Sequence, residues 1–315
     1  MKLPEHLSPS GLETIVANKK EYYLAYLSDN APPKFPQTKP MSVGSMFDIY
    51  VKCELSKALG LVCDPGFDAL VESQIDANLR DYALPAGRHC YAEYVRCGAY
   101  ADLLKQLSKA KNVRLVNERL KKVIEGVPIL GIPDLTYVSF AGTNVVLDWK
   151  VNGYDSVNGK SPTTGYVLLF DPGGKNHYSP HKECHCWIQG DIMIDLNFNL
   201  LEREPKWGRQ LCAYSWLAGF EPGAPVVVGI EQLACKPGRQ IAVAQHRIMI
   251  NESWQRKVLN SYKDAWDLIT SGHYFRELSV EASAAHCAAL DKEGLIYSGN
   301  DVNSQWLRET FRGRR

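Results

Sequence analysis

The sequence has almost no charge of either sign to spare. Its 36 lysines and arginines stand against 35 aspartates and glutamates, a formal net charge of +1 over 315 residues. Bulk charge therefore announces no nucleic-acid binder, although a local basic groove fits inside a neutral total. There is no run of about 18 apolar residues, which excludes a transmembrane helix of the usual kind. The polar, proline-containing start from Met1 to Ser8 lacks the apolar stretch of a secretory signal. A cytoplasmic protein without a membrane partner is the expectation. The nine cysteines, at 53, 63, 90, 97, 184, 186, 212, 235 and 287, are an odd number in a long chain. That argues for reduced thiols rather than a disulfide framework. The chain also lacks G-x-x-x-x-G-K-[ST], G-x-S-x-G and H-E-x-x-H, so three common templates of ATP, ester and peptide hydrolysis are missing. The turn at Pro172-Gly173-Gly174 has no helix after it and is no phosphate cradle.

What is present is ordinary globular material, 45% hydrophobic and 23% charged, enough for a substantial core. At about 150 residues per domain, the length suits one large domain or two small ones. Ser10 and Glu13 read as a capping box for a first helix running through Tyr22, Tyr23 and Leu24. Four prolines between 32 and 40 read as an extended connector. Helices are expected from Ser42 to Leu59, from Pro65 to Asn78 and from Cys90 to Lys109. From Asn112 the pattern turns to short strands, with a hairpin turn at Ala141-Gly142-Thr143-Asn144. A long surface insertion rich in Gly, Ser, Pro and Asn follows. The chain then reads as a helix (Pro205 to Gly219), two strands (Val226 to Ala234, Gln240 to Ile250) and a helix (Asn251 to Ser271). The expected organisation is a single α/β domain over 1–315. It has a helical N-terminal portion (1–110), a sheet core (111–250) with an insertion at 152–204, and a C-terminal helical portion (251–315).

The residues with chemical meaning begin at Gly131-Ile132-Pro133-Asp134, followed fourteen positions later by Asp148-Trp149-Lys150. Asp134 is expected to end one strand, and the hairpin returns Asp148 beside it. Residues 148 and 150 are two apart, so their side chains leave the strand on one face. Two carboxylates and an ammonium then converge on one patch. Two nearby carboxylates repel, and burying them is costly unless a cation neutralises them. A hard divalent ion suits that patch, because Mg²⁺ takes one or two carboxylates and keeps its waters. Lys150 beside it could orient a water or stabilise charge developing on a phosphate. The same residues read equally as a salt bridge, Asp134 or Asp148 with Lys150, that packs the sheet.

This pattern resembles the PD-(D/E)XK nuclease superfamily, and three further elements resemble its RecB-like and lambda-exonuclease-like branch. They are Leu7-Ser-Pro-Ser-Gly-Leu12 with Tyr22 to Tyr26, the helix segment Gly44-Ser45-Met46-Phe47-Asp48, and the Q-x-x-x-Y of Gln210 to Tyr214. The resemblance covers roughly residues 7 to 235. It implies a restriction-endonuclease-like core, a small mixed central sheet flanked by helices. It also implies Mg²⁺- or Mn²⁺-dependent hydrolysis of DNA, most closely as an exonuclease. By the same resemblance Asp134 and Asp148 are metal ligands, with the backbone carbonyl of Trp149 as an extra ligand. Lys150 is the catalytic lysine, and Gln210 and Tyr214 share a helical face at the site. Asp48 stands where relatives often carry a metal-binding histidine, and Glu118 falls where they place an auxiliary glutamate. The G-S-x-x-D helix and the D-W-K-V-N-G continuation resemble phage-encoded members, which implies genome processing or recombination in a host cytoplasm. The implied partner is DNA, with a recombinase or single-strand-binding protein as a further partner class that no residue specifies.

Between Lys150 and Gln210 lie 59 residues, more than compact members need. Lys160, Lys175, His177, His181 and Lys182 alternate there with Tyr166, Phe170 and Tyr178, a composition suited to single-stranded or frayed DNA. His181, Cys184, His185 and Cys186 only loosely match zinc-ligand spacing, with no C-x-x-C pair to complete them. Two other classes stay open: a DNA-binding protein on the same fold without catalysis, and a structure-specific endonuclease.

Overall fold

The structure is a computed structural model that describes residues 3–29, 36–152, 166–170, 176–180, 186–189, 192–195, 204–235 and 242–272. The first helix is α1 (Pro9–Ala17). Ser8, not Ser10, caps it by accepting the Gly11 N–H at 3.1 Å, and Pro9 occupies the first turn. The expected single helix is two, because Asn18 adopts an extended backbone and caps α2 (Lys19–Tyr22) through its side chain. A π-helical turn, Tyr23–Leu27, continues it. Helix α3 (Lys39–Ala58) starts before the expected Ser42: Thr38 caps it, and Pro40 sits in the first turn, where a missing N–H costs nothing. Gly60, with φ +67°, lies just past its end as expected. The stretch from Pro65 contains the shorter α4 (Phe67–Gln74).

Where one helix from Cys90 to Lys109 was expected there are two, α5 (Arg80–Arg96) and α6 (Ala99–Leu107), broken at Gly98 with φ +91°. Helix α5 begins ten residues earlier than its pattern suggests because packing overrides propensity. Pro85 and Gly87 lie inside it, and both oppose a helix locally. A Cβ at Gly87 would stand 2.6 Å from the Met46 side chain, so the glycine lets α3 and α5 approach closely.

The strands are β1 (Lys111–Leu115), β2 (Leu120–Ile124), β3 (Val127–Gly131), β4 (Leu135–Val138), β5 (Asn144–Asn152), β6 (Tyr166–Phe170), β7 (Asn176–Pro180), β8 (Cys186–Gln189) and β9 (Ile192–Asp195). Then come α7 (Pro205–Leu217), β10 (Val226–Ala234), β11 (Ala242–Ile250) and α8 (Glu252–Ser271). Seven strands form one mixed sheet in the order β1-β4-β5-β10-β11-β6-β7. Its β5–β10 pair is parallel and the remaining described pairs are antiparallel. Helices flank this sheet, so the expected α/β class with a small mixed central sheet is the one found. Within the stretch 152–204, expected as an insertion, β6 pairs with β11 and extends the main sheet. The run from Val127 to Val138 is two strands. Ile132-Pro133-Asp134 interrupts it, with β3 pairing to β2 in a separate ribbon and β4 pairing to β1 and β5.

The described residues fall into two compact units. One draws on Met1–Pro36, Lys121–Leu130 and Lys257–Arg315, the other on Gln37–Leu120 and Gly131–Arg256. In the first, Leu7 bridges Ile129, donating its N–H to Pro128 O at 2.8 Å. In the second, Val43, Phe47, Val51 and Leu55 form an i, i+4 stripe along α3. This stripe packs with Cys90 and Tyr94 of α5, Leu103 and Leu107 of α6, and Leu135, Val145, Leu147 and Trp149 of the sheet. Each such side chain contributes about 1.5–3 kcal/mol on burial. Asp48 and Lys52 each follow a stripe residue by one position, about 100° round the helix, at the edge of this apolar face.

A buried polar network crosses the same core. Glu231 of β10, fully buried, accepts from Tyr94 Oη and takes 2.8 Å bonds from Gln245 Nε2 and Arg247 Nη2. No helix among the described residues is long and apolar enough to cross a membrane.

Candidate active site

Asp134 lies immediately before β4, at the start of a strand rather than the end of one. The hairpin pairs Leu135 with Leu147, which brings Asp148 of β5 beside Asp134. Asp148 and Lys150 leave β5 on one face, while Leu147 and Trp149 leave on the other and join the α3–α5–α6 core. Their setting is dry: the Asp148 side chain is 4% exposed and that of Lys150 26%. Lys150 Nζ forms an ion pair with Asp148 Oδ2. The Trp149 backbone N–H donates to Asp134 Oδ2 at 3.0 Å, fixing that carboxylate against the neighbouring strand. The indole of Trp149 takes no part in this face.

Helix α7 packs against β5 and β10 and supplies Gln210 and Tyr214. Gln210 Nε2 donates to Tyr214 Oη at 2.7 Å, so the pair spaced one turn apart acts as a unit. The Tyr214 ring rests on Gly131: a Cβ there would stand 2.6 Å from Tyr214 Cε1. Gly131 is thus the glycine in this segment that close approach requires. The Tyr214 hydroxyl, pushed up to about 12 by burial and by the negative field of Asp148, stays protonated near the carboxylates.

Asp48 reaches the same place from α3, but through a residue that spacing did not single out. Lys52 Nζ lies 2.7 Å from Asp48 Oδ2 and 3.0 Å from Asp134 Oδ1, with its side chain only 2% exposed. Its third bond goes to Val116 O, also at 3.0 Å. The only local signal was the i, i+4 spacing of Asp48 and Lys52, which on a surface helix marks an ordinary ion pair. Gln232 is a second residue missed. It lies in register with Lys150 across the parallel β5–β10 pair, is 5% exposed, and its Oε1 accepts no hydrogen bond among the described residues. Glu118 is not on a strand. It is exposed in the link between β1 and β2, so the structure does not bring it into this cluster. The zinc candidates His181, Cys184 and His185 and the basic side chains of the 152–204 stretch lie outside the described residues, as does the Cys186 side chain.

The cluster assembled is Asp48, Asp134, Asp148, Lys52 and Lys150, three potential negative charges against two positive. The two central aspartates titrate in opposite directions. Burial would raise Asp134, but Lys52, Lys150, the proton of Asp148 and the Trp149 N–H outweigh it and hold it low. Burial raises Asp148 to about 8, with Asp134 adding to the rise against the opposing pull of Lys150. Asp48 is raised to about 7, chiefly by burial. The two carboxylates titrate as a pair, with Asp134 held low and Asp148 held up.

This sets a pH dependence. Unfolded, Asp148 releases its proton near 3.9; folded, it keeps it to about 8. Between those values the folded state binds more protons, so stability falls as pH rises, and Asp48 acts in the same sense up to about 7. Melting temperature in EDTA is expected to fall from pH 6 to pH 8.5. Asp148→Asn keeps the shape and removes the titration, so its profile should be flatter and its melting temperature higher than wild type at pH 8.5. An unchanged slope in that variant would place the titration elsewhere.

The donor set open to a divalent ion is Asp134 and Asp148 with backbone or water oxygens. Among the described residues no group of three or more His, Cys, Asp and Glu side chains is placed to hold a metal. Two carboxylates nevertheless suit Mg²⁺, which keeps several waters. Burial and the neighbouring Asp134 both raise Asp148, which marks its side of the cluster as short of positive charge. The residues fit such an ion.

No family model matches this sequence, and no match was found among curated proteins. Among solved structures, one from Eubacterium rectale, described as a candidate exonuclease, aligns with a TM-score of 0.43 at 13% identity, covering 85% of this chain and 82% of its own. Another, of the protein SSO0001, aligns at 0.24 and 14% identity over 80% of this chain and 85% of its own. Likenesses this distant carry no statement about activity. The fold class rests on the elements described above, a mixed α/β sheet flanked by helices.

Proposed function

We propose that this protein is a divalent-metal-dependent deoxyribonuclease, acting as an exonuclease with Mg²⁺ or Mn²⁺ in DNA processing or recombination of the phage type. The observation that carries the reading is the convergence of Asp134, Asp148 and Lys150 on one buried face, with Gln210 and Tyr214 beside them. A packing salt bridge explains one carboxylate and one lysine. It does not explain a second carboxylate set beside the first in the same patch, brought there by the Leu135–Leu147 register of the hairpin.

A bound divalent ion would supply Lewis acidity toward the phosphate and lower the pKa of a water. Asp134, held by the Trp149 N–H, and Asp148, once deprotonated, would hold that ion, and the backbone carbonyl of Trp149 is the further oxygen proposed for it. Lys150 Nζ would stabilise the charge that develops on the phosphate oxygens as a water oxygen bonds to phosphorus and the ester P–O bond breaks in line. The attacking water gives up a proton to solvent and the departing oxygen takes one up from solvent. Tyr214, protonated and backed by Gln210, would donate to a phosphate oxygen of the substrate.

The competing reading, a DNA-binding protein without catalysis, has one observation in its favour: Asp48 is already matched to Lys52 rather than left for a metal. Digestion of linear duplex, linear single-stranded and closed circular DNA in Mg²⁺, Mn²⁺ or EDTA separates the classes. Metal-dependent loss of linear substrates alone is expected. Cutting of circles would make the protein an endonuclease, and binding of DNA without any turnover would make it the inert module.

A further inference from the structure

Lys52 is unlike the other lysines described. It is almost wholly buried, and its ammonium has three partners, all oxygens: Asp48 Oδ2 at 2.7 Å, Asp134 Oδ1 at 3.0 Å and Val116 O at 3.0 Å. An ammonium has three protons to donate, and all three are used. The cradle is also anchored from three directions. Asp48 is one helical turn before Lys52 on α3, and Val116 follows β1. The Val116 N–H in turn donates to Asp134 O at 3.0 Å, so carbonyl and carboxylate are tied to each other by the backbone. Two carboxylates and a backbone carbonyl are the hard oxygen donors that Mg²⁺, Mn²⁺ and Ca²⁺ take. Asp48 Oδ1 remains buried with no hydrogen bond among the described residues.

We infer that Lys52 is a resident counter-ion: its ammonium fills, between Asp48 and Asp134, a cation position that a divalent ion would otherwise occupy. Asp48 is thereby withdrawn from metal binding, and any ion held by Asp134 and Asp148 is held without it. The inference concerns the α3 side of the cluster and goes beyond the hydrolytic reading, since it holds whether or not the protein cuts DNA.

The test is the number of Mn²⁺ ions bound per chain, read from the free-Mn²⁺ paramagnetic resonance signal. It is paired with melting curves in EDTA and in Mn²⁺, for wild type, Lys52→Met and the double variant Asp48→Asn/Lys52→Met. Removing the ammonium should add one Mn²⁺ relative to wild type and make the melting temperature rise more on Mn²⁺ addition than it does in wild type. The double variant removes a negative and a positive charge together and should lose the added ion. If Lys52→Met is unfolded in EDTA, recovery of the fold on adding Mn²⁺ counts for the inference, and failure to recover counts against it. An unchanged Mn²⁺ count in Lys52→Met, or an added ion that persists in the double variant, would overturn it. The count in wild type itself reports on the proposed nuclease site. A wild type that binds no Mn²⁺ would sink that reading while leaving the comparison between variants intact.

Discussion

Lys150→Ala should lower the rate of DNA cleavage by about 10²–10³-fold or more, the loss typical of removing one donor aimed at developing charge in a dry site. The fold should survive. The Lys150 side chain is a quarter exposed, its described ion pair is with Asp148, and Asp148 can keep its proton when the lysine is gone. Steady-state rates on end-labelled linear DNA in Mg²⁺, affinity for the same DNA in EDTA and a melting curve together check this. A variant that cuts at the wild-type rate would show that the proposed site is not where the chemistry occurs. Loss of DNA binding together with cleavage would make Lys150 a phosphate anchor instead.

The largest effect on stability is expected at Glu231→Ala. This carboxylate is fully buried and receives Tyr94, Gln245 and Arg247, while the Arg247 side chain is itself only 7% exposed. Truncation takes from a buried guanidinium its Glu231 partner, at a cost of about 3–5 kcal/mol. For a unit of this size the melting temperature should fall by on the order of 10 °C or more. Calorimetry or thermal circular dichroism measures it. Glu231→Ala combined with Arg247→Leu should recover part of the loss, because both members of the Glu231–Arg247 pair are then removed together. A single variant that melts within a degree or two of wild type would mean that this ion pair does not hold the core.

Much of the scaffold was legible because its signals are local. The boundaries of α7 and β10 follow from the helical spacing of Trp207, Leu211 and Tyr214 and from a continuous apolar run. The β4–β5 hairpin follows from turn residues between alternating segments. The alternation of strand side chains placed Asp148 and Lys150 together and Trp149 opposite. The misreadings share a cause. Asn18 ends α1 through a side chain that caps the next helix, and Pro85 and Gly87 sit within α5 because α3 must come close. In each case a contact elsewhere outweighs the local preference.

From sequence alone came the mixed α/β class and the Asp134–Asp148–Lys150 constellation, since they rest on pattern and on spacing within a strand or a hairpin; the Gln210–Tyr214 pair came from its resemblance to a Q-x-x-x-Y motif. Only the tertiary structure decided which residues complete the cluster. Lys52 meets Asp134 across 82 positions and Tyr94 meets Glu231 across 137. No periodicity encodes such pairings. They follow from how helices are set onto the sheet, which depends on the packing of Val43, Phe47, Val51 and Leu55 with the sheet and its neighbouring helices. Glu118 shows the converse: its place in the sequence suggested the site, but the chain leaves β1 by a link that keeps it in solvent.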